Sequence, residues 1–222
     1  MFDTEVACDV HWTNWRISPL GDAVLSPADE RRLSGIRRAD ILTPRRVAAA
    51  LLRSVVAHAV GAKPDDVIVD RTCPRCGAPH GRPTLPFHDL EVSVTHSGDL
   101  VGVAICRGSP LGLDAEQVSR FHRSGPLQHI SLTEAAESAA ARCRAWVRAE
   151  AVVKATGQGI VALEAVRVAP ASEPPALLTQ DDTSLQVVLV DLEARPGYRA
   201  SLAVLTEAPV QAIEKVHDGQ PA

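Results

Sequence analysis

Two acidic residues separated by a single residue, Asp114 and Glu116, are the first candidates for metal chemistry. They lie in the segment 111–116, Leu-Gly-Leu-Asp-Ala-Glu, whose alternation predicts a β-strand. Residues two apart in a strand project from one face, so both carboxylates lie opposite the apolar residues that face a core. Carboxylate oxygens suit Mg²⁺, which completes its coordination with water and substrate phosphate. An exposed strand carrying two solvated acids is the alternative.

Three residues spaced four apart, Trp146, Glu150 and Lys154, lie one above another on a predicted helix. Taken alone, this spacing is also that of a half-buried tryptophan beside an ordinary surface Glu–Lys pair. His96 is ambiguous in the same way. It ends the period-two segment 90–96 on its apolar face, where a histidine is either a ligand-binding residue or a structural one. Neither feature decides a function by itself.

Cys73 and Cys76, with His80 close behind, look like half of a zinc ribbon. A structural zinc site needs four ligands, usually from two such pairs, and the sequence has no second pair. The pattern therefore favours plain turn cysteines over a zinc site. The five cysteines are odd in number and scattered, which does not suggest a disulfide framework. A zinc-stabilised nucleic-acid module is kept as a third functional hypothesis.

The order of four motifs along the chain carries more information than any one of them. They are Gly81-Arg82-Pro83, Thr95-His96-Ser97, Gly112-Leu-Asp114-Ala-Glu116 and Trp146-Val-Arg-Ala-Glu150-Ala-Val-Val-Lys154. This succession resembles the 4′-phosphopantetheinyl transferase superfamily, in particular the Sfp-type enzymes of about this length. Their signatures are a Gly-Lys/Arg-Pro turn, a Ser-His-Ser turn, a Gly-(Ile/Val)-Asp-x-Glu strand and a Trp-x-x-Lys-Glu-(Ala/Ser)-x-x-Lys helix.

The resemblance implies a fold and a reaction. The fold is α+β, with two pseudo-symmetric α/β lobes and the active site in the cleft between them. The reaction moves the 4′-phosphopantetheine arm of coenzyme A to a serine of an apo acyl or peptidyl carrier domain and releases adenosine 3′,5′-bisphosphate. The expected clients serve peptide, polyketide or fatty-acid synthesis. A two-lobed chain can build the whole site by itself, so we expect a monomer.

The resemblance also implies a role for each matching residue. Asp114, Glu116 and Glu150 would hold Mg²⁺, or Mn²⁺ in its place, against the pyrophosphate of coenzyme A, and Lys154 would contact that pyrophosphate. Asp114, Glu150 and Lys154 form the predicted catalytic set. A serine hydroxyl needs a base to become a nucleophile, and we assign that role to Glu150, directly or through a metal-bound water.

The remaining coenzyme contacts are expected from basic and polar residues of the first half of the chain. His96, next to Thr95, would meet the 3′-phosphate or ribose, and Arg82 would lie near the adenine or a phosphate. The family's phosphate-binding arginine falls near position 44 when Arg53 is the anchor, which makes Arg45 and Arg46 the candidates after a small shift. Arg53 is itself among the residues expected to bind the coenzyme.

One departure from the family pattern keeps a second hypothesis open. The lysine that precedes the helix glutamate in the family is Ala149 here, and the adjoining Arg148 points about 100° around the helix. Thr95 replaces the usual serine but keeps the hydroxyl. The alternative function is a non-catalytic protein of the same fold that binds coenzyme A or a carrier domain.

The elements that must position these residues follow from local patterns. Helices are predicted to start at Ser26-Pro27, to run from Thr43-Pro44 to Gly61, and to run from Ser131-Leu-Thr-Glu134 to Gly157. A hairpin is predicted over 90–96 and 100–106, and further strands are predicted over 111–116, 161–169, 185–192 and 199–205. We expect two lobes, residues 1–108 and 109–222.

Charge and hydropathy exclude several classes of protein. The 222 residues include 23 basic and 27 acidic side chains, for a net charge of −4, which argues against a protein that wraps bulk nucleic acid. No apolar run approaches the ~20 residues needed to cross a bilayer. The N-terminus lacks the basic and apolar regions of a secretory signal, so we expect a cytoplasmic protein without membrane or nucleic-acid partners.

Overall fold

The computed structural model describes residues 5–122, 138–179 and 185–218, which fold as a mixed α+β structure. The helices in these ranges are α1 (Pro27–Leu33), α2 (Ala39–Val60) and α3 (Ala139–Thr156). The strands are β1 (Val6–Asn14), β2 (Glu91–Ser97), β3 (Leu100–Cys106), β4 (Leu111–Gln117), β5 (Arg167–Val168), β6 (Leu177–Thr179), β7 (Val187–Leu192), β8 (Tyr198–Leu205) and β9 (Val210–Val216). None of these helices combines the length and apolar character that a membrane crossing requires.

The larger strands form two sheets. The first has the order β2-β3-β1-β9, in which β9 runs parallel to β1 and the other pairs are antiparallel. The second is antiparallel with the order β4-β8-β7, and β5 and β6 form a separate short ladder. The last described strand therefore completes a sheet whose other strands come from residues 6–106. The division at residue 108 stays a prediction.

The two sheets pack face to face, and each carries a helix on its outer face. Apolar side chains of β1 and β3 meet those of β4 and β8 in one buried cluster, which includes Trp12, Leu100, Leu113 and Leu202. α2 covers the outer face of β2 and β3. α3 covers β4 and β8 with small residues such as Ala145, so its backbone lies close to the sheet. The order of layers is thus α2, first sheet, second sheet, α3.

Several predicted elements are confirmed. The helix predicted at Ser26-Pro27 is α1, and the Ser26 hydroxyl caps it by accepting a hydrogen bond from Asp29 N at 3.1 Å. The predicted hairpin is β2 and β3, the strand predicted over 111–116 is β4, and the last two predicted strands are β7 and β8.

The predicted bounds of two helices need correction. α2 ends at Gly61 in the left-handed conformation, as expected, but it begins at Ala39 and contains Pro44 rather than starting there. Arg38 O accepts hydrogen bonds from the first turn, where Asp40 suits the positive end of the helix dipole. α3 also ends as expected, at Gly157, but it begins at Ala139, where the Ser138 hydroxyl accepts from Ala141 N at 3.1 Å. The predicted start at 131–134 lies outside the described residues.

The strand predicted over 161–169 is wrong. Residues Ile160–Ala165 form a 3₁₀ helix, and only Arg167–Val168 is extended. In this turn Leu163 is buried and Val161 is exposed, so the apolar run does not lie on a sheet. An apolar run this short does not show a clear period of two or of 3.6 residues, so its pattern cannot distinguish a strand from a helical turn. The strands β1, β6 and β9 were not predicted.

Candidate active site between β2, β4 and α3

A pocket of about 240 Å³ lies where β2 of the first sheet, β4 of the second sheet and the helix α3 meet. Its lining consists of eight residues from those three elements: Val94, Thr95, His96, Asp114, Glu116, Trp146, Glu150 and Lys154. All three predicted metal ligands and all three predicted catalytic residues are among them. Of the predicted coenzyme-binding residues, Thr95, His96 and Lys154 line the pocket, whereas the four arginines do not.

Gly112 allows α3 to approach β4 closely enough to form this pocket. A Cβ atom at this position would overlap the Ala151 carbonyl oxygen and would lie 2.5 Å from Ala155 N. Only glycine fits such a contact between a strand and a helix backbone. The close approach lets Lys154 Nζ donate to the Leu113 carbonyl oxygen at 3.0 Å, which directs the ammonium group toward the acidic face of β4.

A row of hydroxyl groups on β2 joins the two sheets beside the pocket. These groups accept hydrogen bonds of 2.9–3.2 Å from alternate backbone N–H groups of β4, and the pairs are Ser93 with Leu113, Thr95 with Ala115 and Ser97 with Gln117. All three hydroxyl residues are buried. Their period of two places them on the face of β2 opposite Val92 and Val94, which face α2. Thr95 thus has a structural role that any hydroxyl residue could fill.

Asp114 is the most buried acid of the pocket, with 6% of its surface exposed. Its Oδ1 accepts hydrogen bonds from Lys154 Nζ at 2.6 Å and from Thr95 Oγ1 at 3.2 Å. Its Oδ2 is buried and has no hydrogen-bond partner. An unpaired carboxylate oxygen in a protein interior is costly, and a cation bound at this atom would offset that cost.

Glu116 lies beside Asp114 on the same face of β4, as predicted. Its Oε2 accepts hydrogen bonds from the Ser97 hydroxyl and from Arg120 Nη1, the latter at 2.7 Å. Burial raises the pKa of Glu116, and the negative charge of Asp114 acts in the same direction, whereas Ser97 and Arg120 oppose the shift. Ser97 and Arg120 were not predicted as site residues. No local signal identifies Arg120, because residues four apart in a strand lie far from each other; Arg120 reaches Glu116 because the chain turns into a 3₁₀ helix at Val118–Phe121 after β4.

Glu150 faces the two β4 carboxylates from α3. Its side chain is half-buried, and no hydrogen bond joins it to another group in the described ranges. Burial raises its pKa to about 7, the nearby charges of Asp114 and Glu116 contribute, and Lys154 opposes the shift. A carboxyl group that titrates near neutral pH is suited to accept a proton.

His96 lies at the exposed rim of the pocket, on the face of β2 that packs toward α2. Partial removal from water lowers the pKa of its imidazole, and the positive charges of Arg45 and Lys154 lower it further. The shift favours the neutral ring, in which one nitrogen donates a hydrogen bond and the other accepts one. The effect of Arg45 places that guanidinium near the rim, where the Ile41 carbonyl oxygen accepts from its Nη1 at 3.0 Å.

The prediction that Arg53 binds the coenzyme does not agree with its place in the structure. Arg53 is 8% exposed, and its guanidinium donates to Asp29 Oδ2 at 3.2 Å and to the carbonyl oxygens of Pro64 and Val67 at 2.9 and 2.7 Å. A phosphate would have to displace these buried bonds, so Arg53 serves as a structural residue between α1, α2 and the following turn.

Arg46 and Arg82 are also engaged outside the pocket. Arg46 Nη1 donates to Glu30 at 2.9 Å, across α1 and α2. Arg82 Nη2 donates to Glu91 at 2.5 Å, and its Nη1 donates to the Ala155 carbonyl oxygen near the end of α3 at 3.0 Å. Both side chains are half-buried rather than buried, so each retains a surface that a ligand could reach.

The position of the family's first helix lysine lies in the core. Ala149 is fully buried among the residues that pack α3 on its sheet. Arg148 is 1% exposed and donates to Asp191 at 2.7 Å and to the carbonyl oxygens of Ala169 and Pro170, both at 2.8 Å. Arg148 therefore points away from the pocket, as predicted, and does not replace the missing lysine.

The pocket contains oxygen atoms that suit a hard divalent cation, but these atoms are not close enough together to form a metal site without movement. Its three carboxylates and the unpaired Asp114 Oδ2 match the oxygen ligands that Mg²⁺ prefers. In the described parts of the chain, however, only one group of three potential ligands has all its ligand atoms within 4.8 Å of one another. This group lies elsewhere, at Cys73, Cys76 and His80. The carboxylates are more widely spaced, and Lys154 and Arg120 neutralise two of them.

A scan against protein-family models gave no match, and a search among curated proteins gave none either.

Proposed function

We propose that the protein is a 4′-phosphopantetheinyl transferase of the Sfp type, which transfers the phosphopantetheine arm of coenzyme A to a serine of apo acyl or peptidyl carrier domains. One observation carries the proposal. Three of the four motifs that suggested this family, although they are spread over residues 95–154, contribute side chains to a single pocket. The pocket lies at the junction of the two sheets, and this position agrees with the expectation of an active site in a cleft between two lobes.

The charges of the pocket suit a pyrophosphate bound through a metal ion. Asp114, Glu116 and Glu150 would hold Mg²⁺ or Mn²⁺, and the unpaired Asp114 Oδ2 supports this assignment. The bound cation would supply neutralisation of the charge that grows on the pyrophosphate. Lys154 would bind the same group, since its ammonium already points into the pocket. Phosphoryl transfer depends mainly on such positioning and charge stabilisation.

Glu150 is the proposed base. The carrier serine oxygen forms a bond to the phosphorus that bears the pantetheine, the phosphoanhydride bond breaks, and adenosine 3′,5′-bisphosphate leaves. The serine proton goes to the Glu150 carboxylate, directly or through a metal-bound water. Burial raises the pKa of this carboxyl to about 7 in the metal-free protein, so the group can hold a proton near neutral pH. Trp146 lines the same side of the pocket and packs against the core under α3, so it braces the helix.

The neutral His96 and the nearby Arg45 are the proposed contacts for the 3′-phosphate or ribose of the coenzyme. Arg45 replaces Arg53 as the first candidate for the phosphate-binding arginine, because Arg53 is buried in other contacts. Arg46 and Arg82 are weaker candidates, because Glu30 and Glu91 already pair with them.

Intact-mass analysis tests this proposal. The protein is incubated with coenzyme A, Mg²⁺ and a panel of apo carrier domains, and addition of one phosphopantetheine arm to any carrier supports the transfer. Asp114→Asn should abolish the addition. Glu164→Gln, a change at an exposed acid outside the pocket, should leave it intact. No addition to any carrier of a broad panel would contradict the proposal.

A non-catalytic binding protein is the second candidate, and the buried Ala149 favours it. One cationic contact of the family pattern is absent, and the buried, paired Arg148 does not restore it. In this case coenzyme A binds, as measured by calorimetry, but the mass of every carrier domain stays unchanged.

A further inference from the structure

The loop over residues 71–82 brings together three side chains that the proposed transfer does not use. One ligand atom each from Cys73, Cys76 and His80 lies within 4.8 Å of the other two. Cys73 is half-buried, and the other two side chains are exposed. The loop precedes β2 and lies outside the pocket.

Backbone hydrogen bonds hold this loop in its shape. Cys73 N donates to the Ala78 carbonyl oxygen at 2.9 Å, and Gly77 N donates back to the Cys73 carbonyl oxygen at 2.8 Å. Gly77 has a φ of 72°, a left-handed conformation that glycine adopts without strain. Gly81 N closes the base of the loop on the Arg71 carbonyl oxygen at 2.7 Å. The two cysteines are thus placed by the backbone, before any ligand binds.

The nearby backbone N–H groups of Arg75 and Cys76 lower the pKa of the Cys73 thiol. Backbone N–H groups directed at a sulfur favour the thiolate, which is the form that binds metal ions. The same turn therefore positions Cys73 and stabilises its negative charge.

The distance between Cys76 and His80 is close to that of two ligands of one ion. Cys76 Sγ and His80 Nε2 are 3.0 Å apart. A tetrahedral zinc with Zn–S and Zn–N bonds of about 2.3 and 2.0 Å separates such atoms by roughly 3.5 Å. Rotation of two exposed side chains is enough to make up the difference.

We propose that Cys73, Cys76 and His80 bind one Zn²⁺ ion, with the fourth coordination position left to solvent. Two sulfur ligands and an imidazole nitrogen select Zn²⁺ over the hard cations that carboxylates prefer. No fourth cysteine, histidine or acidic residue in the described ranges joins the group, and the exposure of Cys76 and His80 gives water access to the ion.

The site would hold the loop against the C-terminal end of α3. Arg75 Nη2 donates to the Gln158 carbonyl oxygen at 3.2 Å, and Arg82 Nη1 donates to that of Ala155 at 3.0 Å. Arg75 lies between the first two ligands, and Arg82 lies two residues after the third, so an ion that fixes the loop also restrains both arginines. The helix that they touch carries Glu150 and Lys154. The proposal does not require the transferase activity.

Metal titration of the purified, reduced protein tests the site. We expect one Zn²⁺ per chain, and we expect Co²⁺ at the same site to give the sulfur-to-metal absorption of thiolate ligation. Cys73→Ser, Cys76→Ser and His80→Ala should each weaken binding by more than about 10-fold, the lower bound seen for loss of even an outer-shell partner. His58→Ala, at an exposed histidine of α2, should bind as the wild type does. Circular dichroism establishes that each variant is folded.

Equal binding of Zn²⁺ by the wild type and by the folded Cys73→Ser/Cys76→Ser double variant would overturn the site. Hydrogen exchange tests separately whether the bound ion holds the loop against the C-terminal end of α3. Zn²⁺ should slow amide exchange in residues 73–81 and at the end of α3. Zn²⁺ binding that leaves exchange at the helix end unchanged would refute this coupling. Both readouts are independent of coenzyme A, so they remain valid if the proposed transfer fails.

Discussion

Replacement of Lys154 by methionine should destabilise the protein by leaving Asp114 without its cation. The Lys154 Nζ–Asp114 Oδ1 distance is 2.6 Å, the Asp114 side chain is 8% exposed, and Oδ2 already has no partner. Breaking a buried ion pair by removing one partner costs about 3–5 kcal/mol. Because the Lys154 side chain retains 30% exposure, water screens part of this interaction. We expect a loss of about 2–3 kcal/mol of unfolding free energy, below the range for a fully buried pair.

Urea unfolding at pH 7 measures this loss as a decrease of the midpoint by about 1 M, for a slope of about 2–3 kcal/mol per M. The double variant Asp114→Asn/Lys154→Met should recover part of the stability, because it removes the unpaired charge. Lys63→Met, at an exposed lysine, is the matched control and should shift the midpoint little. A Lys154→Met midpoint equal to that of the control would refute the view that a buried Asp114 depends on this ammonium group.

Three further predictions concern the same part of the molecule. Gly112→Ala should lower the unfolding free energy by about 3 kcal/mol, at the upper end for overpacking, because the new Cβ would overlap the Ala151 carbonyl oxygen. Thermal unfolding that matches the wild type would contradict this. Arg53→Met should lower the unfolding free energy by about 3 kcal/mol, because it removes hydrogen bonds to Asp29 and to the Val67 carbonyl oxygen. The KM for coenzyme A should stay unchanged, and a raised KM in a folded variant would show that Arg53 contributes to coenzyme binding. Without divalent cations, the ¹³C titration of the Glu150 carboxyl should have its midpoint near pH 7. Because this pKa lies above the ordinary 4.5, the folded state binds the proton more tightly than the unfolded state, and the free energy of unfolding falls as pH rises from 4.5 to 7. Glu150→Gln should remove this part of the pH dependence. A variant with the same pH profile of stability as the wild type would contradict the assignment.

Local spacing allowed most of the candidate site to be predicted from the sequence. A period of two placed Asp114 and Glu116 on one face of β4, and a spacing of four placed Glu150 and Lys154 on one side of α3. These faces depend on backbone geometry alone, so they do not require knowledge of the partner element. Pairing across the chain, in contrast, was beyond local reasoning. The parallel pairing of β9 with β1 joins residues about 200 positions apart, and nothing in either segment specifies the other.

The role of an arginine was the hardest feature to predict. Arg53 and Arg45 occur in one basic helix, and the sequence gives no reason to treat them differently. The structure distinguishes them by burial, because Arg53 faces Asp29, 24 residues earlier, and Arg45 lies near the rim of the pocket. The contacts of the Ser93 and Ser97 hydroxyl groups with β4 were not predicted, for a related reason. Their alternation was visible, but the strand that they bond to belongs to the other sheet.

A crystal structure of the protein with coenzyme A and Mn²⁺ would locate the metal ion and the pyrophosphate. We expect an anomalous-scattering peak for one manganese ion in contact with carboxylate oxygens of Asp114, Glu116 and Glu150, together with the coenzyme pyrophosphate beside Lys154 Nζ. This arrangement requires the three carboxylates to draw together, whereas Lys154 can keep its contact with Asp114 Oδ1 while the metal ion takes Oδ2. A pyrophosphate bound elsewhere, or a manganese ion that touches none of the three carboxylates, would contradict it.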